Sequence, residues 1–277
     1  MLYHLKKLRP LVNMRMEYRV RRSVARALPV LNRVEYDSLV HCCSWKTGSQ
    51  WVRLVLSDPR FYVWTGLKPR PMIPRKELEV APERYRVNSG EVVTNVFCNA
   101  EIFNQIAKPD DFRAFFVCRD PVTLLISWYY SARYSHPDNA DLKSFRRATE
   151  GMNDEEGLMY AVSQSEKALS DLKSWANYCA QDRSIPLVKF EDLVGADKLT
   201  HWADLFERLG ISIPTRIVDS ILKTYSRERL SPRGGGLNDK YSSAWKERIK
   251  DKEIEMVRAE LRGRMHGLRS ALGYNDA

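Results

Sequence analysis

Lys46, Thr47, Gly48 and Ser49 fall inside the stretch HCCSWKTGSQW, residues 41–51, where an apolar run breaks at Trp45 and a helix-like pattern begins. A cation, two hydroxyls and a glycine at such a junction suit an anion. First-turn N–H groups attract negative charge, glycine lets the backbone come close, and the ammonium adds a full positive charge. The order excludes one familiar use. An NTPase loop of the form GxxxxGK[ST] puts lysine after its final glycine, whereas Lys46 precedes Gly48 and no glycine stands earlier. A second group is Arg119, ending the apolar run RAFFVC (113–118), with Ser127 eight residues on. A forked guanidinium and a hydroxyl suit a second phosphate. A third is SPRGGG (231–236), where Arg233 and Gly234 give a glycine-rich loop with a cation able to close over an anion. Three separated anion groups imply a ligand with more than one phosphate.

Elements that would position these residues follow from hydrophobic pattern and punctuation. Residues 36–44 (YDSLVHCCS) read as a buried strand, 49–57 as a helix stopped at Asp58-Pro59, and 67–82 as an irregular basic loop with four prolines. Further strands are expected at 91–97, 113–118 and 186–190. Helices are expected at 100–107, at 121–134 with Pro121 in its first turn, at 154–181, from 191 through 225, and at 246–271. Strands alternating with helices imply an α/β fold, a doubly wound, mostly parallel sheet flanked by helices. In such sheets ligands gather at the carboxyl ends of the strands, where both the Lys46 turn and Arg119 fall.

Of the 277 residues, 44% are apolar and 29% charged, an ordinary soluble composition. No run approaches the roughly 18 apolar residues of a membrane helix, and no secretory leader is legible. The net charge of +10 is uneven: residues 1–40 hold nine Lys/Arg against three Asp/Glu, a surplus of +6 that leaves +4 for the rest. We therefore divide the chain into a basic helical arm, 1–35, and an α/β domain, 36–277. The arm suits peripheral contact with an anionic membrane surface, and the mildly basic body gives no reason to expect nucleic acid. Five cysteines without zinc spacing read as reduced, buried thiols, which fits the cytoplasm.

Taken together, these segments resemble the sulfotransferases that use 3′-phosphoadenosine-5′-phosphosulfate (PAPS). WKTGSQW (45–51) is similar to that family's first loop, CRDPVTLLISWYYS (118–131) to its second motif, and KFEDL (189–193) to its segment after a later strand; PRGGG and AWK (244–246) match its late loop loosely. The resemblance spans 36–246 in order and implies a P-loop-like sulfotransferase architecture. It implies that Lys46 neutralises charge as the sulfuryl group leaves, that Thr47, Gly48, Ser49 and Gln50 cradle the 5′-phosphosulfate, and that Trp51 lies near adenine. Arg119, Ser127, Arg233 and Gly234 would hold the 3′-phosphate. The family works without a metal, and its acceptors are small molecules or glycans.

Two departures stand out. Phe190 occupies a position where the family often has tyrosine, and VVTNVFCNAEIF (92–103) lacks the histidine that cytosolic members carry after the second strand. Candidate bases are therefore His136, in YSHP, and Glu101, opening a short helix; His41 reads as a packed strand residue. The alternatives are a nucleotide-dependent kinase of the P-loop-like class and a non-enzymatic protein that binds anions or membrane surfaces through its arm.

Overall fold

The computed structural model describes residues 23, 27–70, 73, 75–136, 138–226 and 251–275. Five strands form one parallel sheet: β1 (Ser38–Cys43), β2 (Lys68–Arg70), β3 (Glu91–Val96), β4 (Phe112–Cys118) and β5 (Leu187–Lys189), in the order β2-β3-β1-β4-β5. The helices are α1 (Ser49–Leu56), α2 (Pro59–Thr65), α3 (Arg75–Val80), α4 (Ala100–Gln105), α5 (Pro121–Tyr130), α6 (Ala140–Ala148), α7 (Asp154–Ser163), α8 (Glu166–Gln181), α9 (Phe190–Val194), α10 (Lys198–Arg208), α11 (Thr215–Thr224), α12 (Asp251–Leu261) and α13 (Leu268–Ala271).

Alternation along the strands divides the apolar side chains between two cores. Val40, Cys42, Ala114 and Phe116 face one side and pack with α5, α7, α8 and α12 through Leu125, Leu158, Trp175 and Leu261. Leu39, Cys43, Phe115 and Val117 face the other side, against Val55 of α1, Phe61 of α2, Trp202 of α10 and Ile221 of α11. Because side chains along a strand alternate, a sheet buried on both faces must be apolar throughout, and SLVHCC is buried at all six positions. The doubly wound parallel arrangement expected from the sequence is the one observed. The helix after β1 and the helix after β4 leave to opposite faces, so the crevice between these neighbouring strands is the switch point of the sheet.

Several local readings needed correction. Asp58-Pro59 does not simply end a helix: the Asp58 carboxylate accepts the N–H of Arg60 at 2.8 Å and caps a new helix with proline in its first turn. The proline-rich loop holds β2, and Pro69 is tolerated because β2 is an edge strand. The long helix expected over 154–181 is two, broken at Gln164–Ser165, where the Ser165 hydroxyl donates to the Val162 carbonyl. The final helix is also divided, into α12 and α13, and α6 was not anticipated. Residues 1–22 and 24–26 of the N-terminal arm lie outside the described residues, while Leu31 and Val34 are tied to α2 by backbone bonds.

His41 is a core residue, as expected. Between Val40 and Cys42 the pairing with β3 slips from Val93 to Val96, leaving a bulge in which Asn95 adopts φ 62°. Asparagine tolerates that left-handed backbone better than most residues. Its N–H, displaced from the ladder, donates to Nδ1 of His41 at 3.3 Å, and the imidazole stacks on Phe115. Full burial lowers the His41 pKa to about 3. An unfolded histidine takes up a proton below about 6.5, so stability contributed by the neutral ring is present above that pH and is lost as pH falls toward 3. We expect the urea midpoint to drop between pH 7 and about pH 4.5 more in the wild type than in His41→Asn.

Candidate active site

The carboxyl ends of β1 and β4 are paired neighbours, and the ladder extends one step further through the Ser44 N–H to the Val117 carbonyl. The chain then turns sharply. Lys46 adopts φ 59° and Gly48 φ 63°, two left-handed residues separated by Thr47. Such a turn bends backbone N–H groups toward one concave side. The Thr47 hydroxyl donates to the Ser44 carbonyl at 2.7 Å, closing the turn from within. Gly48 is fixed by more than its φ: a methyl group there would fall 2.6 Å from Cε2 of Phe190. Helix α1 starts at Ser49, and the Gly48 carbonyl accepts from the N–H groups of Trp51 and Val52.

Arg119 follows β4 directly and is only 6% exposed. Its Nη1 donates to the carbonyl of Lys46 at 2.9 Å and its Nε to the hydroxyl of Thr123 at 3.2 Å. The guanidinium lies over the Phe190 ring, 5.1 Å from its centroid, and 3.9 Å from a carboxylate oxygen of Glu191. Phe190 therefore packs against both anion-binding groups, Gly48 on one side and Arg119 on the other. Asp120 caps α5 by accepting the Thr123 N–H and also pairs with Arg269 at 2.9 Å, while the Tyr274 hydroxyl donates to Glu191. The chain's last described turn is thus pinned to the site.

The electrostatics favour an anion. Lys46 is lowered to about 8, first by burial and then by the nearby Arg119 charge. Arg119 is lowered by its own burial, against the pull of Glu191. A bound phosphate or sulfate would favour the charged form of Lys46 and offset the cost of burying both cations.

The structure brings Lys46, Thr47, Gly48, Ser49 and Arg119 together at this crevice. Ser127 is buried on α5, two turns beyond the Asp120 cap. Gln50 is exposed and accepts from Nε of Arg53. The Trp51 indole points into the core, donating to the Tyr225 carbonyl at 2.8 Å and meeting Trp202 edge-on. Glu101 is exposed on α4, accepting the Ser174 hydroxyl at 2.7 Å, and His136 is exposed after the π-turn that follows α5. Arg233, Gly234 and Lys246 lie outside the described residues. Sequence reasoning missed Thr123, Phe190 as a packing partner and Tyr274. KFEDL marked the second of these, whereas nothing local points to the others.

A crevice at the switch point of a doubly wound sheet, floored by a cationic turn and an arginine, defines an anion-binding α/β enzyme. The chain belongs to the sulfotransferase family, whose domain model matches residues 34–260. No curated protein sequence matches it. Among solved structures it is similar to mouse sulfotransferase SULT7A1 complexed with PAP, at 13% identity over 90% of each chain with a TM-score of 0.57. It also matches retinol dehydratase in complex with androsterone and inactive cofactor PAP, at 10% identity over 82% of this chain and 80% of that one, TM-score 0.48. Among the described residues no helix is long and apolar enough to cross a membrane.

Proposed function

We propose that the protein transfers a sulfuryl group from PAPS to a hydroxyl or amine of a small-molecule or glycan acceptor, releasing 3′,5′-ADP. The observation that carries this reading is the 2.9 Å bond from Arg119 to the Lys46 carbonyl, which holds two cationic loops at one crevice. The 5′-phosphosulfate would lie in the turn formed by Thr47, Gly48, Ser49 and Gln50, with the 3′-phosphate at Arg119 and Ser127. Arg233 and Gly234 are assigned to the same phosphate and Trp51 to the adenine side, by family resemblance. In-line attack on sulfur displaces the bridging oxygen, and the charge growing there falls beside Lys46. Positioning and preorganised charge are what such a transfer requires. The free, buried thiols support a cytoplasmic location, and the basic arm, residues 1–35, is proposed as a peripheral membrane contact.

Isothermal titration tests the donor. Tight binding of 3′,5′-ADP with little response to ATP and magnesium is expected. The reverse preference would point to the kinase reading, and loss of 3′,5′-ADP binding on deleting residues 1–22 would point to an arm-driven anion binder.

A further inference from the structure

Next to the Lys46 turn, and outside the residues assigned to the donor, lies a small, partly open cleft lined by Ser44, Trp45, Arg75, Phe97, Asp171 and Trp175, among others. Its position follows from the chain: Trp45 immediately precedes Lys46, so whatever fills the cleft abuts the loop that carries the transferring group. The walls are mostly aromatic and aliphatic, with few polar groups. Among the described residues, Asp171 is the one carboxylate that lines it.

Asp171 is held in place from two elements. Its Oδ2 accepts from Nη2 of Arg75 at 3.1 Å, and its Oδ1 lies 3.8 Å from Nζ of Lys167, one turn earlier on α8. Arg75 also pairs with Glu79 at 2.7 Å and stacks over the Trp45 ring, 4.1 Å from its centroid. The guanidinium therefore ties the carboxylate to the residue before Lys46. Arg75 and Lys167 balance Glu79 and Asp171, so the wall offers no net charge to an ionic acceptor. A carboxylate has lone pairs for more than these two partners, and the Asp171 side chain is still 18% exposed.

We propose that Asp171 is the catalytic base, taking the hydroxyl proton of an uncharged aromatic alcohol seated in this cleft; the assignment rests on the sulfuryl-transfer reading above. The acceptor oxygen bonds to sulfur as the bond from sulfur to the bridging phosphate oxygen breaks. That electron pair stays on the phosphate oxygen beside Lys46, while the proton passes to Asp171 and then to solvent. Burial raises the Asp171 pKa above the ordinary carboxylate value; Lys167 and Arg75 pull it down, and Glu79 and Glu101 push it up. A base with a raised pKa is better matched to neutral pH. The other groups nearby are poorer choices: the Cys98 thiol in the same cleft is pushed up to about 12, and Glu101 and His136 are exposed away from its lining.

The test measures transfer from labelled PAPS to a series of para-substituted phenols by wild type, Asp171→Asn and Asp171→Glu. With 4-methylphenol, Asp171→Asn is expected to lower kcat by about 10²–10³-fold and to abolish the acidic limb of the pH profile. With 4-nitrophenol, which ionises near neutral pH and needs little base, the loss should be under about tenfold. Affinity for 3′,5′-ADP should be unchanged. Asp171→Glu, which keeps a carboxylate, should retain the acidic limb and serves as the informative variant if the asparagine protein does not fold. Equal losses across all phenols, or no loss, would overturn the assignment of Asp171. Wild type that binds 3′,5′-ADP but uses no phenol would overturn the acceptor class. Wild type that neither binds 3′,5′-ADP nor transfers would instead remove the sulfuryl-transfer reading on which the proposal stands.

Discussion

Lys46→Ala is expected to lower kcat by about 10²–10³-fold, the scale of removing one preorganised donor from developing oxyanion charge. The change should appear far less in the affinity for intact PAPS than in kcat, because the charge that lysine answers develops only as the S–O bond breaks. Lys46→Arg keeps a cation at the same left-handed position and should recover part of the rate. The pH dependence gives an independent check. Burial and Arg119 lower the Lys46 pKa to about 8 in the free enzyme, so the ammonium is present below that value and is lost above it. The value of kcat/KM for the donor should therefore fall as pH rises through about 8, and the fall should be missing in Lys46→Arg, whose guanidinium stays charged. Unchanged kinetics in Lys46→Ala would remove the mechanism.

Arg119→Lys should separate the two ends of the donor. Lysine keeps the charge but loses the fork, which can satisfy the Lys46 carbonyl and a phosphate together. The loss of charge-assisted hydrogen bonds, about 1.5–3 kcal/mol each, corresponds to about 10–150-fold in affinity. We expect that loss for 3′,5′-ADP and not for 5′-AMP, which lacks the 3′-phosphate. Calorimetry with both nucleotides on both proteins gives the comparison, and equal weakening of the two would place Arg119 in support of the loop rather than on the 3′-phosphate.

The parts of the site that the sequence exposes are those built from short local patterns. WKTGSQW announces a turn into a helix because lysine, glycine and two hydroxyls leave it little else to be, and CRDPV announces its neighbour through arginine at the end of an apolar run followed by Pro121 in a first helical turn. The parallel sheet was equally readable, since apolar strands such as SLVHCC can only be buried on both faces. The acceptor side was not. Arg75 reaches Asp171 across 96 positions and lies over Trp45 across 30, pairings that only the packing of α3 and α8 around the sheet creates. The same holds for Tyr274 on Glu191, and for the bulge at Asn95, whose left-handed backbone no local residue pattern requires. Trp51 shows the converse. The motif position assigns its ring to the adenine side by resemblance, but no local pattern shows that its indole N–H is anchored by the Tyr225 carbonyl, 174 positions away.

The loops that meet at the crevice are rooted in separate cores, α1 among Val52, Val55 and Trp202, and α5 among Leu125, Tyr129 and Leu158. A nucleotide bridging them acts as a rivet through the sheet. Neither half can then melt without releasing it, so occupancy should register as resistance to heat in the whole domain, by about 2.7 kcal/mol at a hundredfold excess over Kd. Substitutions deep in either layer, far from any phosphate, should lower the starting stability and leave that increment intact, whereas a change in the crevice itself should diminish it.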